Sequence, residues 1–189
     1  IFRYHDAGLQ PTFRDVLLQM VITSDNTATD LSIAKVGGVA RVNAWLKEKG
    51  YADGLRLTQT TGDLFAKYDA LTPSDNRDDK TNNDRAYWLG DMTPRETGRL
   101  LEAIERGTLT SKASAAEMKT ILGRQQAGSR RIPHFLDVPV AHKTGDSGVI
   151  ANDGAAGVRP AEGLPQIALV LVVAVAENGV IGHGGRLPW

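Results

Sequence analysis

Two short polar motifs stand out in this sequence, Ser24-Asp25-Asn26 and Lys143-Thr144-Gly145. The first places a hydroxyl, a carboxylate and an amide side by side. The second places an ammonium group beside a hydroxyl and a residue without a side chain. Singly, each has an ordinary structural meaning: Ser-Asp-Asn is a plain capping sequence that satisfies the first backbone donors of a helix, and Lys143 can be a solvated lysine at a strand end. A second copy, Ser74-Asp75-Asn76, lies in a stretch without apolar periodicity and reads as a surface turn. What raises the chemical interest is the pairing of the two motifs with the elements around them.

Those elements follow from apolar spacing. Over residues 11–23, Phe13, Val16, Leu17, Met20 and Val21 recur at intervals of three and four, which predicts a helix with one buried stripe. Ser24 to Asn26 can cap a second helix through Ala28, Leu31 and Ile33, stopped by Gly37-Gly38. Ser24 is therefore expected in a helix-to-helix connection. A third helix carries Val39, Val42, Trp45 and Leu46, with Gly50 as a left-handed C-terminal cap. Over residues 51–91 the pattern decays and a long loop is expected, its segment 74–85 being almost wholly polar. Order returns at Thr93-Pro94-Arg95-Glu96, a cap, a first-turn proline and a capping-box acid ahead of Leu100, Leu101 and Ile104; Gly107 ends that helix. Another is predicted over 112–122, with Met118, Ile121 and Leu122 toward the core and Gly123 as its stop. Residues 138–142 and 167–176 read as strands. Helices first and strands last, without βαβ alternation, predicts an α+β fold, mostly helical over 1–133 and sheet strands over 134–189.

Composition removes several classes of partner. Of 189 residues 41% are hydrophobic and 23% charged, enough for one ordinary domain and against disorder. The 22 basic residues offset 22 acidic ones, leaving no whole-chain field for nucleic acid or an anionic membrane. Without cysteine, disulfides, thiolate nucleophiles and cysteine-based metal sites are excluded, while the redox compartment stays open. His5, His134, His142 and His183 lack paired ligand spacing, so no metal site is expected. Gly179 to Gly185 are glycine-rich without a dinucleotide fingerprint and read as a loop. The apolar run 167–176 is too short for a bilayer core of roughly 30 Å, so no membrane span is expected. The chain opens at Ile1 without a signal-like segment and stops at Leu187-Pro188-Trp189, so both ends are expected to be cut from something longer.

Taken in order, Val21-Ile22-Thr23-Ser24-Asp25-Asn26-Thr27-Ala28, Met92-Thr93-Pro94-Arg95 with Leu100-Leu101, Arg131-Ile132-Pro133 and His142-Lys143-Thr144-Gly145 resemble class A serine β-lactamases and related penicillin-recognising serine hydrolases, over roughly residues 9–153. The resemblance implies a β-lactamase-like helical domain plus part of an antiparallel sheet, truncated, and acyl transfer through a serine ester. Ser24 would pass a proton toward the leaving nitrogen. Asn26 would orient the substrate's side-chain amide. Lys143 would face the substrate carboxylate and bias Ser24, Thr144 would hydrogen-bond that carboxylate, Gly145 would admit substrate close to the strand, and the N–H of Asp146 would be an oxyanion donor. It also implies a β-lactam or peptidoglycan-like small molecule as substrate, no cofactor, a monomer, and a periplasmic or secreted location.

The sequence departs from that pattern in three places. The family's nucleophile lies in a Ser-x-x-Lys motif well ahead of Ser-Asp-Asn, and no such motif precedes Ser24; the literal match Ser32-Ile33-Ala34-Lys35 falls after it and is rejected on context. The family's omega loop carries Glu-x-x-Leu-Asn, whose Glu activates the deacylating water; residues 51–91 contain no Glu, and Asp63 and Asp69 read as solvated loop charges. Residues 167–189, with Val173 to Gly182 and Leu187-Pro188-Trp189, resemble the first strand and following loop of dihydrofolate reductase, which suggests a gene junction; the plain alternative is that 167–176 is the hydrolase's own outer strand. The expectation is a partial serine hydrolase, inactive alone for want of its nucleophile. The alternatives are a non-catalytic, penicillin-binding or peptidase-like module and, more remotely, a reductase fragment.

Overall fold

A computed structural model describes residues 10–146, 150–158 and 169–176. The chain divides into two compact units, Ile1–Asp91 and Met92–Trp189. The break falls well before residue 133, where helical pattern gives way to strand pattern in the sequence, because two further helices pack on the sheet and belong with it.

In the first unit, helix α1 (Phe13–Ile22) opens with a reciprocal cap between Thr12 and Asp15 and buries Val16 and Ile22. Helix α2 (Asn26–Lys35) starts at the N-cap Asp25 and buries Ala28, Ser32 and Ile33. Helix α3 (Gly38–Glu48) follows Gly37 and buries Leu46; Gly50 takes the positive φ expected of it. Strand β1 (Leu55–Leu57) docks on α3 because the Asn43 amide bonds both backbone groups of Leu57, donating to its carbonyl at 2.7 Å and accepting from its N–H at 2.9 Å.

The expected loop 51–91 is a correction. It contains helix α4 (Thr61–Asp69), helix α5 (Arg77–Asn83), a 3-10 turn (Arg85–Tyr87) and strand β2 (Gly90–Met92), which pairs with β1. Periodicity misses them because they stand on caps and polar staples. Asp63 forms a capping box with Thr60 at the start of α4, so it is a cap and not a loose loop charge. Asp30 of α2 accepts the N–H groups of Thr61 and Gly62, both at 2.8 Å. Asn76 of the second Ser-Asp-Asn copy caps α5, a helix with no buried residue. Buried Gln59 donates to the carbonyls of Ala86 and Trp88, the Arg77 guanidinium lies 4.1 Å from the Tyr68 ring centroid, and Tyr68 stacks on Tyr87. Asp91 closes the segment between Arg85 and Arg56, and these guanidinium groups, Arg85 foremost, hold its carboxyl below the ordinary value. Gly90 is required at the β1–β2 contact, since a Cβ there would lie 2.1 Å from the Arg56 carbonyl oxygen.

In the second unit, helix α6 (Pro94–Glu105) has its predicted Thr93 cap and first-turn proline, but Glu96 turns to Arg99 at 2.5 Å instead of completing a capping box. Helix α7 (Lys112–Leu122) buries Ala115 and Ile121, while Met118, expected in the core, is 38% exposed. Strand β3 (Ala141–Asp146) begins later than the predicted 138–142 and follows a 3-10 turn, Ile132–Phe135. Strand β4 (Ile150–Val158) is unforeseen in the sequence reading, and β5 (Leu169–Ala176) completes an antiparallel sheet of order β3-β4-β5.

The middle of β4 explains both its invisibility and its place. Gly154, Ala155 and Ala156 lack the bulky alternation that marks a strand. Their small size lets both faces of the sheet be covered closely. Ala156 packs with Leu101 and Ile104 of α6, Ala155 with Ile132 and Val140, and the residues on these two sides alternate as a pleated strand requires. A buried Leu or Ile in such a cluster contributes about 2 kcal/mol. Among the described strands, β5 pairs with β4 at one end of the order β3-β4-β5; residues 177–189, which carry the rest of the reductase resemblance and the glycine-rich run, lie outside the described residues, as do His5 and His183.

Candidate functional site

Ser24 and Asn26 belong to the first unit, and Lys143, Thr144, Gly145 and Asp146 to the second. At the α1–α2 connection the capping duty falls on Asp25, whose carboxylate accepts the Ala28 N–H at 2.7 Å, while its own N–H reaches back to the Gln19 carbonyl at 3.1 Å. Ser24, between these anchors, is held at φ 57. Among the described residues it is the one non-glycine residue with positive φ, a backbone conformation that costs an L-residue about 1 kcal/mol. Both Ser24 and Asn26 are exposed, and Asn26 lies on the rim of a cleft of about 540 Å³ that also touches Asp30, Leu31, Gly62 and Phe65.

The literal Ser-x-x-Lys match is disposed of by its geometry. Ser32 is buried in the middle of α2 and its hydroxyl donates to the Ala28 carbonyl at 2.7 Å. Its hydroxyl is thus used within the helix, in keeping with a structural rather than a chemical place for this motif.

Alternation along β3 sends His142 and Thr144 to one face and Lys143 and Gly145 to the other. Thr144 is buried, 4% exposed, and lies against Gly128, where a Cβ would come within 2.3 Å of the Thr144 methyl. Gly128 also has φ +77, so it is glycine for two reasons. Lys143, half-buried, donates to the Thr144 carbonyl at 2.6 Å. Burial pushes its ammonium below the ordinary lysine value, and the carboxylates of Asp146 and Asp153 oppose that push. Asp146 is exposed and pairs with Arg131, which also donates to the Asn152 carbonyl at 2.8 Å. His142 is buried rather than ligand-facing, and His134 is exposed. Among the described residues no cluster of three or more His, Asp or Glu is placed to hold a metal ion.

The sequence reading also passed over a carboxylate. On α5 the Asn83 amide donates to Asp79 Oδ1 at 2.7 Å. The pair has the acid-to-amide spacing of Glu-x-x-Leu-Asn, with Asp for Glu and Asn82 for Leu; the sequence reading weighed Asp63 and Asp69 in this region but not Asp79.

The family model described as the β-lactamase enzyme family matches residues 1–180, which takes in β5. Beta-lactamase L2 of Stenotrophomonas maltophilia is 28% identical over 187 residues, covering 95% of this chain and 54% of that protein. A β-lactamase from Chitinophaga pinensis superposes with a TM-score of 0.68 at 25% identity, covering 88% of this chain and 56% of its own. The TLA-3 extended-spectrum β-lactamase gives a TM-score of 0.74 at 21% identity over 93% of this chain and 59% of that one. The chain therefore spans little more than half the length of the relatives it matches.

Proposed function

Because this chain belongs to the β-lactamase enzyme family, we propose that its first unit carries the Ser24 motif and its second unit the Lys143 motif of a class A serine hydrolase, with no Ser-x-x-Lys ahead of Ser24 in its 189 residues. The reaction served is opening of a β-lactam amide through an acyl-serine. In it Ser24 relays a proton to the leaving nitrogen and Asn26 orients the side-chain amide of the substrate. Lys143 faces its carboxylate, Gly145 on the same side of β3 lets it lie close to the strand, and the Asp146 N–H stabilises the oxyanion. Thr144, buried on the other side, holds the strand in place rather than bonding the carboxylate. The single observation that carries the reading is the left-handed backbone of Ser24, a cost of about 1 kcal/mol that capping does not require, since Asp25 is the cap. The half-buried ammonium of Lys143, pushed below the ordinary lysine value by burial, suits a group that binds an anion.

Asp79, held by Asn83, is assigned as the carboxylate that would activate the deacylating water in any longer form of the chain that carries the nucleophile. Asp63 is excluded from that role by its cap. The site acts as a monomer on a small-molecule β-lactam or peptidoglycan-like substrate outside the cytoplasmic membrane, without cofactor. Among the described residues no helix is long and apolar enough to cross a membrane.

Intact-mass analysis of the purified chain after incubation with nitrocefin and with a fluorescent penicillin tests the proposal. The expected result is neither a covalent adduct nor turnover, with penicillin-induced NMR shifts at Ser24 and Lys143 amides. An adduct on any serine, or the absence of shifts at both motifs, would overturn it.

A further inference from the structure

Beneath the strand end that carries Lys143 lies a buried acid that no motif marks. Asp153 of β4 is 3% exposed and sits opposite Thr144 in the β3–β4 register. Its Oδ1 faces Nδ1 of His142, itself 5% exposed, at 3.0 Å; its Oδ2 accepts the Ile132 N–H at 3.2 Å. One carboxylate therefore ties together β3, β4 and the start of the 3-10 turn Ile132–Phe135. A buried carboxylate is expensive unless each oxygen has a partner, and both oxygens here do.

We propose that Asp153 is a positioning residue for Lys143 and Thr144: through His142 Nδ1 and the Ile132 N–H it fixes the strand end and so holds Lys143 in place among its neighbouring carboxylates. The inference deepens the assignment of Lys143 as the carboxylate-facing cation and rests on it for its functional meaning. The other charged groups around Lys143 are Asp146 on its own strand and Arg131 ahead of the 3-10 turn, which are paired with each other. Helix α7, packed on β3, carries Lys112, Glu117 and Lys119, of which Lys119 is engaged by Glu105. Asp153 is the buried acid of this set. The Coulombic pull on Lys143 from Asp153 adds to that of Asp146 and works against desolvation.

The test reads the lysine directly and needs no β-lactam. Competitive acetylation of the full chain across pH, read by mass spectrometry with exposed Lys35 and Lys49 as internal standards, gives the protonation midpoint of Lys143. Asp153→Asn is expected to lower that midpoint, with the standards unmoved. A midpoint that stays put, or rises to that of the exposed lysines as general loosening would make it do, overturns the proposal. Should Asp153→Asn fail to fold, His142→Ala decides the matter: it leaves the acid in place but removes its partner. Amide exchange at Lys143 to Asp146 and at Ile132 should then quicken at least about tenfold relative to α6, and unchanged exchange would overturn the clamp. If Lys143 responds as expected yet shows no shift with penicillin, the proposed function fails and the positioning role stands.

Discussion

The Ser24 turn and the Lys143 strand end differ in where their support comes from. At Ser24 the support among the described residues is local: the Asp25 carboxylate on Ala28, the Asp25 N–H on Gln19 and the ends of two consecutive helices. At Lys143 it arrives from distant parts of the chain, through Asp153, Ile132, Arg131 and the bare backbone of Gly128. A locally supported site can be weakened one hydrogen bond at a time. A site supported from several elements should fail through displacement of whole segments.

The sharpest probe of that contrast is Gly128→Ala. Its Cβ would press on Thr144 from a backbone conformation that alanine avoids, so urea denaturation is expected to show a loss of about 2–3 kcal/mol. Amide shifts should spread from β3 into β4 while α1 and α2 stay unchanged. A loss below about 0.5 kcal/mol would show that the strand end yields as easily as the turn. Asp25→Ala comes next: removing the N-cap should cost about 1 kcal/mol, with faster amide exchange confined to the first turn of α2. Ser24→Gly is the smallest and has the opposite sign. Releasing the left-handed strain should raise stability by a few tenths of a kcal/mol while penicillin-induced shifts at Asn26 weaken. A fall in stability would mean that the Ser24 side chain is structural.

The same contrast governs what could be read from the sequence. Helices α1, α2, α3, α6 and α7 were legible because apolar spacing and caps agree, as at Thr93-Pro94 ahead of Leu101 and Ile104. Helix α5, Arg77–Asn83, has no apolar residue to set a period and depends on Asn76 alone for its start. Strand β4 was hidden by the Gly154-Ala155-Ala156 run that lets it pack. Among the site residues, Ser24, Asn26, Lys143 and Thr144 are marked by short motifs. The His142–Asp153 pair is formed only when a hairpin folds, and single-sequence periodicity carries no trace of it.

Helix α5 has no buried residue, and it is held by the Asn76 cap, by Arg77 over the Tyr68 ring, and by Thr81, which bonds the Tyr68 hydroxyl and accepts the Trp88 indole N–H on its carbonyl. Residues can accordingly be inserted into or lost from this stretch at little thermodynamic expense, since no packed volume has to be rebuilt. It is the part of the molecule where length is free to vary, so the surroundings of Asp79 can change here without rebuilding a packed core.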